Sequence, residues 1–217
     1  QAAVVLGDKA LGKLITLAGT SSLLGNKLYG YAMDSGEMWR HSMTVAFGSK
    51  IMAQRHRPQL ENDAFSVGLI HDVGKLVLDL PVLNRKSVFD EFMVSGDKTF
   101  LSAENRILGF DHAEIGYDIC QQWQIPESLA KAIRYHHRPS AASDDSLVCI
   151  VSMADTIANM AAAMSMAGRI QSGIDAVMYM VDDTVMEHLA LGEKDIGVIM
   201  ESALDAVEKI MLEIDPT

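Results

Sequence analysis

Residues 68–81 read GLIHDVGKLVLDLP, an imidazole and a carboxylate side by side in an apolar run. Phe65, Val67, Leu69, Ile70, Val73, Leu76, Val77 and Leu78 surround His71 and Asp72. Removing a charge from water is costly unless it meets an opposite charge or a cation. The pair therefore implies either a surface position or a positive partner inside the fold. Adjacent helical residues point about 100° apart, so the two converge on one ion only if other helices supply ligands. Gly74 leaves room beside them. Lys75, one turn beyond His71, is placed to meet an anion.

The same question arises elsewhere along the chain. Glu37 and His41 are four apart and share a helix face with Val45, Gly48 and Met52, so that face points inward. Such a pair grips a metal or forms a buried ion pair, and taken alone the ion pair is the commoner outcome. His112 follows Asp111 at a helix start, ordinarily a surface position. His136 and His137 close a helix, where an imidazole is favourable without any ligand. Asp155 is the most telling. Its helix reads SLVCIVSMADTIANMAAAMSMAG, with no cation three or four residues away. An unpaired carboxylate buried there would cost several kcal/mol.

Taken together, Glu37, His41, His71, Asp72, His112, His136, His137 and Asp155 suit a centre of two divalent ions. Mixed imidazole and carboxylate donors favour a transition metal such as Fe or Mn over Ca, with Mg, Ni or Zn as further candidates. Two such ions orient a water, lower its pKa and neutralise an attacked phosphate. Asp72 and Lys75 are then the candidate catalytic residues. The competing reading makes all of these ordinary polar groups of a helical core.

The elements that must position them are helical throughout, with no strand alternation, so the expected class is all-α. Helices are predicted over residues 2–18, 36–55 capped by Ser35, 61–78 with Pro81 ending its tail, 84–93 and 102–109. A capping box of Asp111 and Glu114 starts another, running to Trp123. The next has Pro126 in its first turn and reaches His137, where Pro139 stops it. Helices over 146–167, 171–189 and 195–213 finish the chain. One domain spans residues 1–217, with a metal-site core at about 35–165 and C-terminal helices at about 171–213.

Composition narrows the function classes. A formal net charge of -11 argues against a nucleic-acid partner, because phosphate backbones need clustered Lys and Arg. It leaves room for a small phosphate-containing ligand, since a bound cation inverts the local field. Cys120 and Cys149 are widely spaced in apolar contexts and read as core thiols of a reducing, cytoplasmic protein. Charged residues interrupt the apolar runs, so no membrane partner is expected. The fourteen methionines are mostly core filler, with a cluster near 153–166 placed to form an adaptable surface.

His41, His71-Asp72 and Asp155 resemble the H…HD…D signature of the HD phosphohydrolase superfamily. GLIHDVGKLVL, ENRILGFDHAEIG and WQIPESLAKAIRYHHRP are more specifically similar to the HDOD branch of bacterial proteins. The early AVVLGDKALGKLITLA resembles the short LG-containing helix of that branch. The resemblance implies a multi-helix bundle of HD-domain type. It also implies kinship with HD-GYP phosphodiesterases, which cleave cyclic di-GMP at a two- or three-metal centre. By position, Glu37 and His41 match that group's first ligands, His71 and Asp72 the HD pair, and His112 the next. His136 and His137 match the double His, Asp155 the final Asp, and Lys75 the phosphate-contacting lysine.

Two departures matter. After the double His this chain continues RPSAASDD, without the Glu and DG-GYP signature that cyclic di-GMP cleavage would lead one to expect. The N-terminal helices with DP and NSA-like segments that usually open the domain are also missing from the sequence, which is expected to be part of a longer protein. The resemblance thus implies a signalling or regulatory domain carrying a two-metal site, with a signalling protein as partner. The alternative is an active metal-dependent phosphohydrolase acting on a nucleotide or cyclic nucleotide.

Overall fold

The structure, a computed structural model, describes residues 19, 21–94, 99–167 and 183–214. Among these the only strand-like pairing is an isolated bridge, Leu28 to Met33. The regular elements are all helices, as the periodicity predicts. The helices predicted over 2–18 and over most of 171–189 lie outside the described residues.

Helix α1 (Glu37–His56) runs through the middle of the fold and packs against α2 (Glu61–Ile70), α8 (Ser146–Ala167) and α10 (Glu193–Ile214). Gly36 precedes it at φ 84°, a left-handed conformation that glycine adopts without steric cost. The predicted Ser35 cap is not made. Instead the Glu37 carboxylate reaches back and accepts the Asp34 N–H at 2.7 Å.

The helix predicted over 61–78 is two helices. α2 stops at Ile70, residues 71–73 form a turn, and α3 (Gly74–Leu83) follows. Pro81 does not end α3 but lies within it. α4 (Lys86–Val94) and α5 (Phe100–Leu108) form a side layer over Leu78, Val82, Phe89 and Ala103. Thr99 caps α5 by accepting the Ser102 N–H at 3.1 Å, and Gly109 closes it at φ 88°. Asp111 caps α6 (His112–Gln122) by accepting the Glu114 N–H at 2.9 Å, the N-cap half of the predicted capping box. Pro126 sits just before α7 (Glu127–Tyr135), which stops short of the double His. α9 (Asp183–Leu189) precedes α10.

α8 is the core helix. Val148, Ile150, Val151, Met153 and Ile157 on it are buried against Val45, Met52, Val67, Ile133, Ile196 and Ile199. Residues 146–164 are long and apolar enough to cross a membrane by length and composition, yet most of that stretch is buried inside the domain. Met153, Met160 and Met164 of the predicted methionine cluster are buried and fill the core, while the Met166 side chain lies outside the described ones. A second apolar cluster joins Leu24, Met38, Met43, Leu69 and Val207 at the start of α1.

Candidate metal centre

Five separate segments deliver polar side chains to one point between α1, α2, α6, α7 and α8. His41 comes from the second turn of α1, and Asp155 from the middle of α8. His71 and Asp72 occupy the turn between α2 and α3, so the interruption of the helix lets two adjacent side chains face the same place. His112 is the first residue of α6, while His136 and His137 follow the end of α7. Two glycines permit the approach. A Cβ on Gly68 would lie 2.8 Å from the Ala46 Cα, and one on Gly74 would lie 2.0 Å from the His112 carbonyl oxygen.

The two aspartates sit at the centre of the arrangement. Asp72 Oδ2 is 3.6 Å from His41 Nε2 and 3.4 Å from His71 Nε2. Its other oxygen, Oδ1, is 3.2 Å from His112 Nε2 and 3.9 Å from His136 Nε2. Asp155 is divided in the same way. Oδ1 lies 3.1 Å from His41 Nε2 and 3.6 Å from His71 Nε2, whereas Oδ2 is 3.6 Å from His137 Nδ1. Three overlapping groups, Asp72/His112/His136/His137, His41/His71/Asp72 and His71/His136/Asp155, bring one donor atom each within 4.8 Å of one another.

The donor set fits a divalent cation on two further observations. His71 Nδ1 lies 2.8 Å from the Gly68 carbonyl and His136 Nδ1 lies 2.6 Å from the Ile133 carbonyl. A carbonyl only accepts, so both rings carry their proton on Nδ1 when neutral and present a lone pair at Nε2. Both Nε2 atoms and Asp72 Oδ1 are buried with no partner in hydrogen-bonding geometry among the described residues. Such orphans are rare in folded proteins and call for an ion or another partner. Charge points the same way. Asp72, Asp155 and Glu104 are buried carboxylates, and Lys75, 2.5 Å from Asp72 Oδ2, is the lysine among them.

Electrostatics express the same demand for positive charge. Burial opposes ionisation of Asp72, but His71 and Lys75 hold its carboxyl well below the usual range. Asp155 is likewise held far below it against burial, by the His41 and His71 imidazoles beside it. Burial would lower His71, yet the Asp72 charge and the nearby Asp155 carboxylate raise it to about 10. His136 is driven well below its ordinary value, chiefly by burial. His137 is pushed down to about 4, again by burial, which outweighs the attraction of Asp155. A proton on His71 Nε2 and a metal ion compete for one lone pair, so the raised value measures the pull of the two carboxylates on any cation.

The structure therefore brings together His41, His71, Asp72, His112, His136, His137 and Asp155, with Lys75 beside them. Glu37 is not brought in. It shares a face with His41 but stands exposed in the first turn of α1, bonded back to the Asp34 N–H. His112, ordinarily a surface position in the sequence, is 3% exposed. Sequence reasoning missed Glu104, which is fully buried and holds His112 from behind. A signal was available: its neighbours three and four residues away on α5 are Phe100, Leu101, Ile107 and Leu108, all apolar. That is the logic that singled out Asp155.

Comparison with known proteins agrees with the all-helical fold. The HDOD domain family model matches residues 1–139. A crystal structure of an HDOD domain protein of unknown function from Geobacter sulfurreducens superposes with TM-score 0.70 and 22% identity, covering 98% of this chain and 73% of that one. A candidate phosphohydrolase from Shewanella amazonensis superposes with TM-score 0.65 and 20% identity, over 95% of this chain and 74% of that one. At these identities the likeness is one of fold. An uncharacterized protein of Treponema pallidum is 26% identical over 140 residues, 58% of this chain. The match spans about a quarter of that relative's length (26%).

Proposed function

The chain belongs to the HDOD domain family, and from that premise we propose that it is a bacterial signalling domain built around a divalent-metal centre. The observation that carries the reading is the convergence of buried imidazole lone pairs on two carboxylates that face both ways. Asp72 and Asp155 each offer one oxygen to the His41–His71 side, and their other oxygens to the His112, His136 and His137 side. A donor set that faces two ways would suit two ions better than one, and its mixed N/O character would suit Fe or Mn. His41, His71, Asp72, His112, His136, His137 and Asp155 would hold them. Signalling would pass to a partner protein, and two buried cysteines that form no disulfide suit a reducing cytoplasm.

A second reading, phosphoester hydrolysis, rests on Lys75 and on the rim of the site. When bound, the metals would supply an activated water and neutralise phosphate charge. Lys75 remains an ammonium, because Asp72 and Asp155 raise its pKa against burial. It would add positive charge beside the attacked phosphate. His41 and His137, 13% and 26% exposed, stand at the accessible edge where such a ligand would enter.

Elemental analysis of protein purified without chelator, paired with hydrolysis of bis(p-nitrophenyl) phosphate, separates the readings. Bound transition metal without turnover supports the signalling domain, and metal-dependent turnover lost in Lys75→Ala supports the hydrolase. Absence of metal after incubation with Fe2+ or Mn2+ would overturn both.

A further inference from the structure

His112 differs from His71 and His136 in where its ring proton can go. Those two side chains follow a helical turn, and each sets Nδ1 against the carbonyl three residues earlier. His112 is the first residue of α6 and has no preceding turn to supply such a carbonyl. An acceptor must come from elsewhere, and Glu104 of α5 provides it. Glu104 Oε2 accepts from His112 Nδ1 at 2.7 Å and from the His112 backbone N–H at 2.9 Å. Its other oxygen accepts the Tyr31 hydroxyl at 2.6 Å.

Three donors on a fully buried carboxylate leave Glu104 satisfied and fixed. Burial and the Glu104 charge both raise the Tyr31 pKa, so the phenol stays a donor. Tyr31 is itself held. Its ring packs on Phe100 at 4.9 Å, and the neighbouring Gly30 N–H donates to Asp79 Oδ1 at 2.7 Å. With Nδ1 committed to Glu104, His112 turns Nε2 toward Asp72 Oδ1, 3.2 Å away, and His137 Nε2, 2.9 Å away. At metal–nitrogen bonds of about 2.0–2.1 Å, donors this close together would be able to hold one divalent cation between them.

We propose that Glu104, braced by Tyr31, is a positioning residue that fixes the tautomer and orientation of His112 for metal binding. This rests on the metal-centre reading above. It adds that the centre is tied, through Tyr31 and Glu104, to the loop preceding α1.

The test uses the whole chain, with Co2+ as the probe and two readouts. In metal-free protein, at a pH high enough to leave the ring neutral, since Asp72 and Glu104 raise its pKa against burial, 15N NMR of the histidine rings should show His112 protonated at Nδ1 and bare at Nε2. Glu104→Ala should abolish that single-tautomer signature. Co2+ titration followed by its d–d absorption should show affinity reduced about 10- to 100-fold in Glu104→Gln, the usual cost of losing an outer-shell partner. Tyr31→Phe should cost a few-fold and keeps the test open if the Glu104 variants do not fold. A folded Glu104→Gln or Tyr31→Phe protein with wild-type affinity would overturn the proposal. So would a neutral wild-type His112 that carries its one ring proton at Nε2. If the wild type binds no Co2+, the metal-centre reading falls, and the proposal falls with it even where the tautomer is as expected.

Discussion

Asp72 and Asp111 are both buried, both next to a helix start and both close to His112, yet their surroundings differ in kind. Asp111 accepts the Glu114 N–H and the Asn105 amide at 2.9 Å each, and Arg138 lies 3.2 Å away. Every demand of that carboxylate is met by donors from the protein. Asp72 has Lys75 on one oxygen, a ring of imidazoles around it, and an orphaned Oδ1. Burial of an acid therefore does not mark a site. What marks it is burial of an acid whose neighbours are lone pairs instead of donors, because such a group is stable only with a cation present.

The sharpest way to break this comparison is to remove each carboxylate in turn. Asp72→Ala is expected to lower Co2+ affinity by at least about 100-fold, since one residue serves both halves of the donor set. Thermal denaturation with and without metal would show the stabilisation by Co2+ vanish. Asp111→Ala should instead cost about 1–2 kcal/mol of stability through the lost helix cap, leaving the rise in Tm with metal in place. If Asp111→Ala removed the metal effect and Asp72→Ala preserved it, the distinction would be wrong.

Gly74→Ala probes the packing that holds the two regions together. A methyl group there would collide with the His112 carbonyl on α6. Because the obstacle is backbone, the expected loss is about 3 kcal/mol in chemical denaturation, at the upper end of overpacking costs. Metal affinity should fall with it, as His112 is pushed away from Asp72. Unchanged stability would show that α3 and α6 are not in fixed contact.

Acid and base should distinguish the regions as well. In metal-free protein, His137 titrates at about 4 in the fold, below its ordinary value of about 6.5. Its contribution is complete above pH 6.5 and is lost as pH falls toward 4. His71 is raised to about 10, so its contribution is complete below about pH 6.5 and is lost as pH rises toward 10. The Tm of chelator-treated protein should therefore peak near pH 6.5, and excess Co2+ should flatten the alkaline limb by replacing the His71 proton. Asp111, whose pKa is lowered despite burial by bonds from Asn105 and Glu114, contributes evenly above about pH 4. A profile flat from pH 5 to 9 without metal would count against the shifts.

The smallest effect is expected at Glu37. Glu37→Ala should change stability by about 0.5 kcal/mol, as for an exposed first-turn acid, and leave Co2+ titration unaltered. A large loss of metal affinity would mean that the carboxylate swings inward when the cation binds.

Much of this molecule can be read from its residues alone. Helical periodicity, the Asp111 and Glu114 capping pair and the prolines before α7 and after His137 are local matters, and local rules place them to within a few residues. Asp155 announces itself because no cation lies one turn away on α8. The motifs from His71 to Pro139 carry the family, and with it the expectation of an all-helical bundle.

What the linear chain could not express is which groups meet. The turn at 71–73 arises where α2 and α3 change direction to pack on α1 and α6, and that choice turns His71 and Asp72 toward one point. Glu37 sits on the same face as His41, but a carboxylate in the first turn is drawn to nearby free N–H groups, and nothing in the four-residue spacing records that competition. Glu104 gains its role from a residue eight positions on and from Tyr31, 73 positions earlier. Side-chain types are fixed by sequence. Convergence of lone pairs on shared carboxylates depends on distances between segments far apart in the chain, and packing alone sets those.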